Sequence, residues 1–176
     1  MNDLLLLATL LAGPQHGYAL KKQVGLLSGR GELHNNLVYP LLRRFVQNGW
    51  VGKREASGQR GQTREVYALT TKGKRELLRR LGTFNEKEAA SQSEFCLRVG
   101  LFMVLDDAAR QQILRERDRW LAAREEKLAK LQAAVDVGDW GGEVVQFLRD
   151  QTRDEREWIV RLQRKVRRGI KQKRAS

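Results

Sequence analysis

Asn35, Asn36, Tyr39, Arg43 and Arg44 fall within one short run, NNLVYPLLRRFVQNGW. Amide, phenol and guanidinium side chains at this spacing do recognition chemistry rather than bond-breaking. An amide can pair its donor and acceptor with an adenine edge, and a guanidinium can do the same with guanine. Tyrosine and further arginines hold phosphate oxygens. A second group, Lys53, Arg60 and Arg64, stands in VGKREASGQRGQTREVYAL, whose joining segment SGQRGQTR contains no acid. Gly58 and Gly61 let that segment turn tightly and approach a surface closely. Such a loop can lay an arginine beside phosphates or in a narrow minor groove. An isolated loop of this kind is ordinarily a solvated hairpin tip; its place directly after a polar-faced helix favours contact.

The first group needs a helix and the second a hairpin. Leu37, Leu41, Leu42, Phe45 and Val46 recur at helical spacing and predict one apolar face, with Asn36, Tyr39, Pro40, Arg43 and Gln47 on or near the other side. Asn35 or Asn36 suits the N-cap, and Pro40 belongs in or near the first turn, so the helix is predicted to start close to Asn36. Asn48-Gly49 supplies its stop. Val51 to Glu55 and Glu65 to Leu69 read as strands joined by Ser57 to Arg64. Upstream, Leu4 to Leu11 are apolar around most of a helical circumference, behind Asp3 as N-cap and before a stop at Gly13-Pro14. A second helix spans about Gly17 to Leu27, with Tyr18, Leu20, Val24 and Leu27 on one side. Three short helices followed by a β-hairpin is the winged helix-turn-helix plan.

Thirty-four basic against twenty-one acidic residues give a formal charge of +13, with a pI near 10.5, which points to a polyanionic partner. The charge is unevenly placed. Residues 1–81 carry 14 basic and 5 acidic side chains, residues 82–160 carry 12 and 16, and residues 161–176 carry eight and none. A single cysteine excludes an internal disulfide and suits a reducing cytoplasm. Leu4 to Gly13, the longest apolar run, is too short to span a bilayer and lacks the basic flank of a secretion signal; no membrane association is expected. Catalysis finds little support. His16 and His34 have no acid or cysteine at metal-ligand spacing, Cys96 reads as a small buried hydrophobe, and Asp106-Asp107 read as helix-start residues. No catalytic residue, metal or cofactor is expected.

The C-terminal half reads as helical. Thr83-x-x-Glu86 fits a capping box, Phe95, Leu97, Leu101, Phe102 and Val104 follow in a helical run, and Asp106 is placed to cap a long helix reaching about Val135. There Leu114, Leu121, Leu128 and Val135 repeat every seven residues, with Trp120, Ala122 and Leu131 nearby. Val137 to Gly142 is predicted to break it, before a last helix from about Glu143 carrying Val144, Phe147, Leu148, Trp158, Ile159, Leu162 and Val166. A thin helix pair cannot bury two wide apolar faces alone, so a second copy of the chain is the economical cover. Such a two-fold dimer implies inverted half-sites about 34 Å, or multiples of it, apart. The tail RLQRKVRRGIKQKRAS is either a solvated, fraying helix end or an added phosphate contact.

The stretches LLATLLAGPQHGYAL, NNLVYPLLRRFVQNGWV and REVYALTTKGKREL, with HGY, VYP-L-RR and LT--G in order, closely resemble the PadR family of bacterial transcriptional regulators. Where many members have a Ser/Gly-Thr pair before VYP, this chain has Asn35-Asn36, which leaves the fold alone and unsettles any borrowed operator preference. The resemblance implies that Tyr39, Arg43 and Arg44 lie in or beside the DNA-contacting helix and that Arg60 and Arg64 belong to the wing. Tyr18 matches a recurrent tyrosine near the start of the second helix, either functional or packed in the small core. It also implies a C-terminal helical domain that builds a homodimer, and, as in some members, a small aromatic effector; Trp120, Trp140 and Trp158 suit that task by stacking, or else pack the dimer core. The expectation is a mainly α (α+β) protein: a winged helix-turn-helix domain over 1–82, a helical dimerisation domain over 83–170 and a basic tail over 171–176. Its expected role is a cytoplasmic, sequence-specific DNA-binding repressor, responsive to a ligand or stress, on an inverted-repeat operator. The alternatives are a winged-helix protein-interaction module and a non-specific nucleic-acid binder. The DNA-binding set is Asn35, Asn36, Tyr39, Arg43, Arg44, Lys53, Arg60 and Arg64, and the effector pair is Trp120 and Trp158.

Overall fold

Four consecutive leucines cannot share one face of a helix, and the chain buries Leu4, Leu5, Leu6 and Leu7 alike. They belong to α1 (Asn2–Thr9), which packs against α2 (Gly17–Leu27) and α4 (Thr71–Gly82). A 3-10 turn, Leu10–Ala12, follows α1 and ends at Gly13, whose φ of 129° suits glycine alone. The computed structural model describes residues 2–27, 35–57, 63–134 and 138–175. By its internal contacts the chain divides into two units, Met1–Thr83 and Phe84–Ser176.

In the first unit, α1, α2 and α3 (Asn35–Gln47) precede a hairpin of β2 (Val51–Ser57) and β3 (Thr63–Leu69). Both strands run two residues further toward the tip than their sequence pattern indicates. Their antiparallel register sets Val51 opposite Leu69 and Ser57 opposite Thr63. A third strand, β1 (Gln15–His16), pairs with β3 through Gln15–Tyr67 and His16–Val66, giving the order β1-β3-β2. Two residues are too few to show alternation, so β1 leaves no sequence signature. α3 stops as expected at Asn48-Gly49. The Trp50 N–H bonds the Phe45 carbonyl, the Gly49 N–H bonds the Val46 carbonyl, both at 2.9 Å, and Gly49 sits at φ 68°. Thr70 caps α4, accepting from the Gly73 N–H at 2.9 Å and donating to the Gly49 carbonyl at 2.7 Å. A Cβ at Gly73 would lie 2.0 Å from the Trp50 carbonyl oxygen, so α4 can meet the hairpin base only through glycine.

The start of α3 differs from expectation. Asn35 is already its first helical residue, which moves the cap out of Asn35 and Asn36 and puts Pro40 in the second turn. There Pro40 leaves the Asn36 carbonyl without its helical donor.

The second unit holds α5 (Glu86–Ala89), α6 (Gln92–Gly100), a 3-10 turn at Phe102–Val104, α7 (Asp107–Ala134) and α8 (Gly138–Ala175). The capping box lies two residues beyond the expected Thr83–Glu86: Asn85 accepts from the Glu88 N–H, and the Glu88 carboxylate accepts from the Asn85 N–H, each at 3.0 Å. Thr83 instead closes α4, its N–H bonding the Arg79 carbonyl at 3.1 Å. Asp106 caps α7 as expected, accepting from Ala109 N–H at 2.7 Å. α7 and α8 lie antiparallel, since Arg117 meets Glu155, Asp118 meets Arg156 and Gln132 meets Arg149. Ile113, Leu114, Leu121, Val145, Thr152 and Ile159 are buried in this unit. The expected break at 137–142 is smaller than the glycines suggest: α8 starts at Gly138 and runs through Gly141-Gly142. Its helical backbone also continues to Ala175, where a fraying tail was one expectation. Val135 lies outside the described residues. No helix among the described residues is long and apolar enough to cross a membrane.

Candidate nucleic-acid interface

The phase of α3 decides which side chains it offers. Val38, Leu42 and Phe45, spaced at i, i+4 and i+7, are each fully buried, whereas Leu37, expected on that face, is 39% exposed. The adjacent Leu37-Val38 pair makes the phase ambiguous in sequence, and packing selects Val38. Leu41 and Val46 flank the stripe half-buried, while Pro40, Arg43, Arg44 and Gln47 are exposed.

Arg43 makes no hydrogen bond or ion pair among the described residues. Arg44, its neighbour, is held instead: its guanidinium bonds the Asp3 carboxylate, whose same oxygen also accepts from Arg80 Nη1 at 3.3 Å. Asp3 thus lies inside the first turn of α1 as a clamp between α3 and α4, and not as the expected N-cap. Arg80 also lies over the Trp50 ring at 4.7 Å and bonds Glu76 at 2.6 Å. Glu76 bonds Arg79 as well, and these guanidinium contacts, Arg79 first, bring its carboxyl down to about 2. Tyr39 is half-buried. Its ring and that of Tyr67 press on Gly17, where a Cβ would meet Tyr39 Cε1 at 3.0 Å and Tyr67 Cε2 at 3.4 Å. Asn35 and Asn36 open α3; their side chains lie outside the described residues.

On the hairpin, Lys53 is paired across the strands with Glu65, which also accepts from the Tyr67 hydroxyl at 2.6 Å. The hydrogen bond from Lys53, then that from Tyr67, holds the Glu65 carboxyl below its usual range. Burial, then Glu65, pushes the Tyr67 phenol up. Arg64 is exposed on β3 opposite Ala56. Arg60, Gly58 and Gly61 lie outside the described residues. Arg54, absent from the predicted set, is exposed on β2 and makes no ion pair among the described residues. The alternation in Lys53-Arg54-Glu55, which sets Arg54 on the other face from Lys53, was the available signal.

Tyr18 is 64% exposed, which excludes a packed core role. Cys96, expected to be buried, is exposed on α6; the apolar face of that helix centres on Phe95. The two effector tryptophans do not share a pocket. Trp120 lines a depression of about 380 Å³ with Arg119, Arg124 and Lys127, and Arg117 lies over its ring at 5.0 Å. Trp158 lines another with Phe147 and Gln151 and packs edge-on to Phe95 at 5.6 Å. Trp140 is 87% exposed. Among the described residues no three His, Cys, Asp or Glu side chains gather as metal ligands. His34 lies outside them.

A three-helix core with a three-stranded sheet and an exposed, arginine-bearing third helix defines a winged helix-turn-helix unit. Residues 6–79 match the transcriptional regulator PadR-like family. No curated protein sequence matches the chain. Among solved structures, TA0346 of Thermoplasma acidophilum is similar at 30% identity, over 43% of this chain and 72% of that one, with a TM-score of 0.40. The structure of Bacillus subtilis PadR in complex with operator DNA is similar at 17% identity, over 93% of this chain and 98% of that one, with a TM-score of 0.46.

Proposed function

We propose that this PadR-like regulator is a repressor that binds an inverted-repeat operator as a homodimer. The exposed face of α3 enters the major groove and the hairpin lies along the backbone. The observation that carries this reading is Arg43: it projects from a helix whose other side is locked by three fully buried residues, and no protein group among those described takes up its donors. A guanidinium so held is ready to pair with guanine or phosphate. Asn35, Asn36, Tyr39, Arg60 and Arg64 complete the surface, with Arg54 added; Arg44 and Lys53 take part only by loosening their ties to Asp3 and Glu65.

Dimerisation is assigned to the C-terminal helices. On α8, Trp140, Val144 and Phe147 are 87%, 57% and 64% exposed at i, i+4 and i+7, an apolar stripe that suits a second copy. An effector that alters the spacing of the two α3 helices would release DNA by population shift. Because Trp120 and Trp158 line separate depressions, a small aromatic effector would stack on one or the other.

The test is footprinting of the full-length protein on its own upstream DNA beside a scrambled duplex, at low and physiological salt. The proposal expects two inverted protected half-sites about 34 Å apart or a multiple of it. It also expects a preference of several hundred-fold, roughly, that survives physiological salt. Equal binding of both duplexes that collapses with salt would overturn it in favour of a basic, sequence-blind surface.

A further inference from the structure

Along α8, the cations of the middle turns are each matched. Arg149 bonds Gln132, Arg153 bonds Asp150, and Arg156 bonds Asp118 at 3.0 Å and Glu125 at 2.7 Å. Beyond Val160 the matching stops. Arg161, Arg164, Lys165 and Arg168 stand at i, i+3, i+4 and i+7, on one stripe, and make no ion pair among the described residues. Like charges at this spacing repel.

These four cations wall a groove of about 950 Å³ between α8 and the turn linking α6 to α7. Its remaining lining is largely apolar: Val99, Phe102, Met103, Leu162 and Val166. Met103 is 84% exposed, a cost in water that a ligand would relieve. The one carboxylate there, Asp107, is engaged by Arg110 at 2.8 Å, and Arg110 is fixed in turn by the Phe102 carbonyl at 2.7 Å. Gly100 and Gly169 border the groove on open space, since a Cβ at either would meet nothing within 4 Å.

We propose that this groove binds a small amphiphilic organic carboxylate, its apolar body against Phe102, Met103 and Leu162 and its carboxylate among the arginines of α8. Charge complementarity selects an anion, and the apolar lining selects against a bare phosphate or a DNA backbone, which bring no apolar body. The groove lies within the C-terminal unit, apart from Trp120 and Trp158, and the proposal stands whether or not α3 binds an operator.

Calorimetric titration of the full-length protein with decanoate, acetate and decyltrimethylammonium tests it. Decanoate should bind saturably with one site per chain, while acetate and decyltrimethylammonium, each lacking one of the two features, should bind about tenfold more weakly or worse. Gly169→Leu fills the groove at a sterically open helical position, and an Arg164→Glu/Arg168→Glu pair reverses its wall; both should abolish decanoate binding while leaving the thermal melt unchanged. Decanoate binding no tighter than that of the cationic probe, or binding that survives both variants, would overturn the proposal. So would a failure of decanoate to bind while the charge reversal dissociates a dimer in sedimentation, which would make a second copy the occupant.

Discussion

In the N-terminal unit Arg43 stands exposed on α3 with no hydrogen bond or ion pair among the described residues. In the C-terminal unit Arg117 is 1% exposed, bound to both oxygens of Glu155 at 2.7 and 2.8 Å and to the Ala89 carbonyl at 2.5 Å, and it lies over the Phe95 and Trp120 rings. Arg98 is held in a similar way through its two Nη groups, bonded to Glu88 at 2.6 Å and Glu94 at 2.7 Å and set over Phe84. One residue type thus serves two ends. A guanidinium whose donors are met inside the protein fixes the packing of helices; one left unmet on a locked helix has its donors available to an outside acceptor.

The contrast can be broken first at Arg117. Arg117→Ala leaves Glu155, itself 7% exposed, buried without its partner, and should cost about 3–5 kcal/mol in urea unfolding. The double variant Arg117→Met/Glu155→Leu should recover most of that, because no charge is then left behind. If the single variant is as stable as the parent, the buried pair is not what joins α7 to α8.

Sequence alone could not have found that pair. An arginine in the run Arg115-Glu116-Arg117-Asp118-Arg119 reads as part of a solvated face, and only the return of α8 brings Glu155 to it. What was legible lay in local chemistry: the α1 leucines, the Asn48-Gly49 stop, the Asp106 cap and the hairpin. The Leu37-Val38 phase, the two-residue β1 and the Asp3 clamp on Arg44 depend on tertiary packing, which periodicity does not encode. Gly141-Gly142 misled for a different reason. A glycine costs a helix only about 1 kcal/mol, and the 38 residues of α8 absorb two.

A smaller effect sharpens the distinction within the N-terminal unit. Asp3→Asn should release Arg44 from its clamp, raise affinity for duplex DNA by about threefold and steepen the salt dependence by about one phosphate contact. Unchanged affinity and slope would show that Arg44 faces away from DNA.

The smallest concerns Glu76, an internal match for Arg79 and Arg80. Its carboxyl is lowered from 4.5 to about 2, so its contribution is present above the unfolded value and lost as pH falls through the folded one. Glu76→Gln should therefore cost about 1 kcal/mol at neutral pH and almost nothing near pH 2, read by denaturant unfolding at both. A cost independent of pH would assign the effect to packing.

The account turns on Arg43 being free for DNA, and the direct measurement is the ratio of affinities for the upstream and scrambled duplexes, in the parent and in Arg43→Ala, at physiological salt. The account predicts a preference, expressed as a free-energy difference, reduced by about 1–3 kcal/mol in the variant with its unfolding curve unchanged. Equal ratios and equal affinities in the two proteins would contradict it, and α3 would not be the helix that reads DNA.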